Sequence, residues 1–185
     1  KPFTQAAGVR VIFGSLTGDA MLDMLIGALF AVMAWSSLAV VLLTAAFVAS
    51  GLVGLKVALY LVLGANLGSG VLGLVATAGS NAAGRRVALG NLMFRAIGCA
   101  LMVPLMGTVE GLLALFDPDP QRLVVNFHTA FNVLLAATLI FFTEPAARLL
   151  MWLIPDDPRK AGAAWLKNLD PDALDTPALA LANAS

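Results

Sequence analysis

Long apolar blocks separated by short polar interruptions set the pattern of this chain. No charged residue occurs between Asp23 and Lys56, between Lys56 and Arg85, or between Arg122 and Glu144. Each gap meets the length of about 18 residues that a membrane-crossing helix needs. The first block runs from Met21 to Ser50, after a polar stretch, Ser15 to Asp19, that suits the cap of a helix starting near Ala20. A continuous helix of that length would reach about 45 Å, well beyond a hydrocarbon core of about 30 Å. It is expected to tilt, bend or break, and the polar Trp35-Ser36-Ser37 near its middle is the expected place.

The second block follows Gly51 to Lys56, runs to about Ala82, and carries three glycines within Gly64-Ala65-Asn66-Leu67-Gly68-Ser69-Gly70. Each interior glycine costs a helix roughly 1 kcal/mol relative to alanine, so the helix is expected to unwind there. Non-helical backbone at membrane depth survives only where protein or a wet cavity satisfies its peptide groups, so two such breaks predict a shared interior site. The third block extends from Arg85-Arg86 to about Met106 and contains Gly90, Asn91, Arg95 and Pro104. A polar connection, Gly107 to Gln121, is expected next. The fourth block, Arg122 to Thr143, holds Asn126, His128, Thr129 and Asn132, with Glu144-Pro145 as its expected end.

These blocks predict an all-α membrane protein, a polytopic helical bundle with broken or re-entrant helices. Residues 1–20 read as a connecting segment, 21–154 as the membrane domain, and 155–185 as a linker whose Asp175-Thr176-Pro177 starts a helix. With blocks three and four each crossing once, Arg85-Arg86 and the basic tail fall on one side, which is expected to be cytoplasmic. The start at Lys1-Pro2-Phe3 and the last residues, Ala-Leu-Ala-Asn-Ala-Ser, lead us to expect a fragment of a longer chain.

Composition changes this picture little. The chain is 60% hydrophobic and 12% charged, with 11 basic and 11 acidic side chains. A net charge near zero gives no electrostatic case for nucleic acid, and the implied partner is the lipid bilayer. The lone Cys99 forms neither an intrachain disulfide nor a zinc cluster, and no cofactor is expected. His128 is the single histidine, and no nucleophile triad or acid/base pair stands out, so the chain does not read as an enzyme.

The candidate chemistry lies in the interruptions. Ser36 and Ser37 either bond back to their own helix or donate to a ligand. The Gly64 to Gly70 stretch either opens the backbone or lets a neighbouring helix approach closely. If both blocks break, freed amide ends suit an oxyanion and freed carbonyl ends suit sodium, with Asn66 offering a donor and an acceptor. Arg95 sits one turn after Asn91 on the same helix face, and an intramembrane arginine is a functional candidate by default. Its rivals are a snorkelling arginine and a structural ion pair. Asn126, His128 and Asn132 read as an interhelix polar network, with direct substrate or proton handling as the alternative.

Four stretches between Ala34 and Asn132 resemble the bacterial type II sodium/phosphate cotransporters. Ala34-Trp35-Ser36-Ser37-Leu38-Ala39 is similar to the family's Gln-Ser-Ser-Ser-Ala motif, with Trp35 and Leu38 as departures. Val62 to Ser69 is similar to its Gly-Ala-Asn-Ile-Gly-Thr-Thr. Arg85 to Arg95 and Val125 to Asn132 resemble the helices that follow, and Leu169 to Leu181 resembles the lead-in to a PhoU-like domain. The resemblance implies the second half of an inverted-repeat transporter, which needs the first repeat of the same chain. It implies sodium-coupled symport of inorganic phosphate into the cell across the bacterial inner membrane, with the tail in the cytoplasm. Ser36, Ser37, Gly64, Asn66, Gly68 and Ser69 would face phosphate and sodium, with Asn91 and Arg95 beside them. A homodimer is kept open, as is the alternative of a membrane-embedded regulatory or scaffold protein that kept the fold without transport.

Overall fold

The structure, a computed structural model, describes residues 19–156. The segment before residue 19, the linker beyond 156 and the predicted helix start at Asp175 lie outside the described residues. All regular structure among the described residues is helical: α1 (Ala20–Ala34), α2 (Ser37–Ala49), α3 (Leu55–Ala76), α4 (Ala82–Phe116), α5 (Pro120–Leu139) and α6 (Thr143–Leu153). Of these, α3, α4 and α5 are long and apolar enough to cross a membrane. This is a polytopic helical membrane protein.

The first apolar block breaks at the expected residues. Asp19 caps α1 by accepting from the N–H groups of Met21 and Leu22. At the other end Trp35 turns left-handed, with φ 52°. The Ser36 N–H donates to the Ala31 carbonyl and the Trp35 N–H to that of Val32, so the last carbonyls of α1 are satisfied within the turn. Ser36 then becomes the N-cap of α2, its Oγ accepting from the Ala39 N–H at 3.1 Å. At 15 and 13 residues, α1 and α2 reach only about 20 Å each, short of a hydrocarbon core.

The second block does not break. α3 is one continuous helix through Gly64, Gly68 and Gly70, which corrects the expected unwinding. The glycines are used for contact. A Cβ on Gly64 would strike the backbone of Met24, one on Gly68 the backbone of Ala28, and one on Gly27 of α1 the backbone of Leu61. Because Met24 pairs with Gly64 and Ala28 with Gly68, α1 and α3 run parallel, backbone to backbone. On its other side Gly70 admits Leu92 of α4, 2.9 Å from where its Cβ would lie. Close packing of this kind drives helix association in lipid, where burial of apolar surface gives little, and it outweighs the weak helix propensity of glycine. The run Ala58 to Ala65 is consequently buried almost completely.

α4 also outruns its expected length. Its 35 residues pass through Pro104 and stop only at Phe116, so the connection expected over Gly107 to Gln121 shrinks to Asp117-Pro118-Asp119. The apolar run from Leu112 to Phe116 continues the helix, and only the Asp-Pro pairs end it. Asp119 caps α5 with Pro120 at its first position. Arg122 reaches back to Asp117, with Nε 2.8 Å from one carboxylate oxygen and Nη2 2.9 Å from the other. The Asp119 backbone N–H, and next the Arg122 guanidinium, hold the Asp117 carboxyl below the usual carboxylate range.

Glu144-Pro145 does not end α5, which stops at Leu139. It lies in the first turn of α6, where a missing N–H breaks no helical bond. α6 lays Leu150 over Gly90 of α4. Arg86 pins the end of α6 through the Ile154 carbonyl at 2.8 Å and Asp156 at 2.9 Å.

Candidate polar site at mid-membrane depth

Asn66 lies at the middle of α3, about 16 Å from either end of that helix. It is fully buried. A carboxamide at that depth must have its hydrogen bonds met by protein, because lipid offers none. Its Nδ2 donates to the Val62 carbonyl at 2.9 Å and lies 3.3 Å from His128 Nδ1. Its Oδ1 accepts from Arg95 Nη1 at 2.9 Å and from Asn132 Nδ2 at 3.0 Å. Its backbone carbonyl accepts from Arg95 Nη1 at 3.2 Å and from the Ser69 hydroxyl at 2.8 Å. One residue therefore joins three helices: Arg95 comes from α4, His128 and Asn132 from α5.

Arg95 is the charged member. Its Nε donates to Asn91 Oδ1 one turn earlier at 3.1 Å, the i, i+4 pairing expected from the sequence. No carboxylate pairs with this guanidinium among the described residues, and there its Nη2 makes no hydrogen bond. The structural ion pair weighed for Arg95 is thus absent from the described part of the chain. The arginine is held by neutral acceptors with one nitrogen to spare. Asn91 also lines an apolar groove of about 540 Å³ between α4, α5 and α6, together with Arg86, Gly90, Phe94, Ala146 and Leu150.

The remaining candidates divide. Asn132 and His128 join the network, and Asn132 Nδ2 also reaches the His128 carbonyl at 2.8 Å. Asn126 does not: two residues from His128 it points to another side of α5 and is exposed. Gly64 and Gly68 spend their open sides on α1. Ser36 is committed to capping α2, while Ser37, half-buried, is the first residue of that helix. Neither serine bonds to the Asn66 network among the described residues. The α1–α2 turn approaches it through Ala31, which touches Gly68 and shares a buried cluster with Val40 and Ala65.

The buried carboxylate of Asp23 escaped sequence reasoning. Asp23 of α1 is fully buried, although it reads in the sequence only as the edge of a charge-free run. Its apolar neighbours on both sides were the available signal. The Cys99 thiol, one turn beyond Arg95, donates to the Leu63 carbonyl at 3.5 Å.

A family model described as Na+/Pi-cotransporter matches residues 3–143. In Escherichia coli (strain K12), a protein named for inorganic phosphate export, YjbB, is 46% identical over 184 residues, covering 100% of this chain and 34% of its own length. Its namesake in Salmonella typhimurium is 48% identical over the same shares. An uncharacterized Bacillus subtilis protein, YqeW, is 29% identical over 132 residues, 71% of this chain and 43% of its own length. The chain thus spans about a third of the length of the YjbB relatives. No solved structure matches it significantly.

Proposed function

The chain belongs to the Na+/Pi-cotransporter family, and on that premise we propose that it supplies one half of a sodium-coupled phosphate pathway across the bacterial inner membrane. The observation that carries this reading is Arg95: a cation in a membrane-spanning helix, held by Asn66 and Asn91, with Nη2 open and no carboxylate partner among the described residues. A lone intramembrane charge is costly, and an anion that it binds recovers part of that cost. Phosphate suits it, because Nη2, the nitrogen not spent on Asn66 or Asn91, can donate a charge-assisted hydrogen bond to a phosphate oxygen.

Half-buried Ser69 lines the approach from α3, beside the buried Asn66. The break at Trp35 supplies the other end of the site: the first N–H groups of α2 beside Ser36 and Ser37 favour phosphate, and the carbonyls that end α1, each with a second lone pair beyond its bond within the turn, favour sodium. The first repeat of the same chain completes the pathway, and alternating access moves the cargo without covalent chemistry. The tail beyond α6 lies in the cytoplasm, since Arg85 and Arg86 mark that side. A pair of such chains is compatible with this arrangement.

Inward symport is the direction expected from the resemblance. The name of the YjbB relatives favours a second reading, export through the same site. Labelled phosphate followed in proteoliposomes of the full-length protein, with sodium inside or outside, separates the two. Sodium-driven flux that falls at least tenfold in Arg95→Ala, and falls also in Ser36→Ala and Ser37→Ala, is the expected result for either direction. Flux indifferent to sodium, or equal in all variants, would sink the mechanism.

A further inference from the structure

We propose that Arg85 and the cavity beneath it bind an anionic phospholipid, with the headgroup phosphate on the guanidinium and an acyl chain on the apolar floor.

Depth places the parts. Arg95 bonds to Asn66 at the middle of α3, and Arg85 lies ten residues earlier on α4, about 15 Å along the helix axis. Half of a hydrocarbon core of about 30 Å is the same distance, so Arg85 stands at the level of the headgroups. Beneath it lies a cavity of about 460 Å³ lined by Leu74, Thr77 and Ala78 from the end of α3, Arg85 and Leu89 of α4, and Ile154. Leu74 is eight residues from Asn66 and Leu89 six from Arg95, about 12 and 9 Å from the middle of the membrane. The mouth is therefore at the membrane surface and the floor within the hydrocarbon. Val71 and Val75 flank Leu74 on α3 and are exposed, so the floor continues into an apolar surface that faces lipid.

Charge selects the headgroup. At this end of the bundle Arg86 is paired with Asp156, and Arg148 with Glu144. The Arg85 side chain makes no hydrogen bond or ion pair among the described residues. Thr77 gives its hydroxyl proton to the Gly73 carbonyl at 2.8 Å, which leaves the guanidinium as the donor at the mouth. The start of α4 at Ala82 adds the partial positive charge of a helix N-terminus. A lipid phosphate satisfies this corner and its chain fills the floor, which a free anion would leave empty. A zwitterionic headgroup suits it less, because Arg85 repels the second, cationic group. The rival occupant is the chain itself, since Asp157 follows shortly after Ile154 in the sequence. A tail segment on this floor would leave its peptide groups without partners in the hydrocarbon, whereas an acyl chain has none to satisfy.

The test uses the full-length protein in detergent, titrated with phosphatidylglycerol or phosphatidylcholine and followed by native mass spectrometry. Wild type should bind phosphatidylglycerol about fivefold more tightly, the effect of one arginine at an anionic surface, and Arg85→Gln should bring the two lipids within about twofold. Lys56→Gln is the control: Lys56 lies ten residues from Asn66 in the other direction, at the opposite surface and outside this cavity, and its loss should leave the preference in place. Phosphatidylglycerol with a photoactivatable diazirine on its chain should crosslink wild type at Leu74 and Leu89, a reading that does not depend on how Arg85→Gln folds. Equal affinity for the two lipids, a preference that survives Arg85→Gln, or crosslinks that miss both leucines would overturn the site. So would displacement of phosphatidylglycerol by millimolar inorganic phosphate, which marks a free-anion site, or a preference that appears only in Asp157→Asn, which gives Arg85 to the tail.

Discussion

Two interruptions of the apolar pattern, Trp35-Ser36-Ser37 and Gly64 to Gly70, look equally disruptive in the sequence and end in opposite structures. At the first the helix stops, reverses its backbone through a left-handed residue, and restarts under a serine cap. At the second the helix runs straight through. The difference lies in what each residue type can do for the backbone. Ser36 offers an oxygen to an orphan N–H and so stabilises a helix start. Glycine offers nothing to the backbone of its own helix, but removes a side chain on the face where α1 arrives. Spacing carried the distinction: Gly64 and Gly68 are four apart, on one face, as a packing surface requires.

The sharpest way to break this comparison is to add one carbon to α3. Gly64→Ala would drive a Cβ into the Met24 backbone, which cannot swing aside as a side chain can. Overpacking of this kind destabilises by about 3 kcal/mol, and thermal unfolding of the full-length protein in detergent should show a clear drop. Gly73→Ala is the control in the same helix. Its Cβ would meet only ordinary contacts at 4.0 Å, so the gain in helix propensity, up to about 1 kcal/mol, should dominate. Equal behaviour of the two variants would mean that the glycines are not there for packing.

A smaller effect is expected at the break itself. The turn that ends α2 has the same hydrogen-bond pattern as the one at Trp35: Leu52 donates to Phe47 and Gly51 to Val48, with Gly51 at φ 70°. One site uses glycine and the other tryptophan, for which a left-handed backbone costs roughly 1–2 kcal/mol. Trp35→Gly should therefore raise the unfolding midpoint while leaving the hydrogen bonds of the turn intact. Backbone strain retained beside Ser36 and Ser37, where glycine would relieve it, is what a functional site shows. A midpoint that fails to rise would remove strain as a reason to single out this turn.

The sequence was legible where a residue's role is local. The α1 break, the Asp19 cap and the Asn91–Arg95 pairing all follow from residue types a few positions apart. Helix ends set by tertiary contact were not legible: α4 ran past Met106 because the apolar residues after Gly107 let it, and Pro145 served a helix start instead of an end. The polar candidates were mostly named, yet their convergence on Asn66 depends on how α3, α4 and α5 rotate against each other. That rotation is set by glycine contacts between distant segments, which is also why Asn126 read as a partner of His128 and lies elsewhere.

A third interruption, Asp117-Pro118-Asp119, sharpens the contrast from outside the spanning helices. There the chain turns with charged groups, which the two interior interruptions lack. The Asp119 N–H and the two nitrogens of Arg122 bond the ionised form of Asp117, so its carboxyl stays ionised to lower pH in the folded chain than in the unfolded one. The sign follows from that lowering: the stabilisation is fully present above the unfolded carboxyl pKa and is lost as pH falls through the lower folded value. Arg122 is 63% exposed, so solvent and salt screen the pair and the effect should be the smallest of the three. Unfolding midpoints of wild type and Asp117→Asn, measured from pH 7 downward, should differ at neutral pH and converge in acid. A gap that persists below the folded value would mean that the turn is held by its prolines and backbone bonds alone.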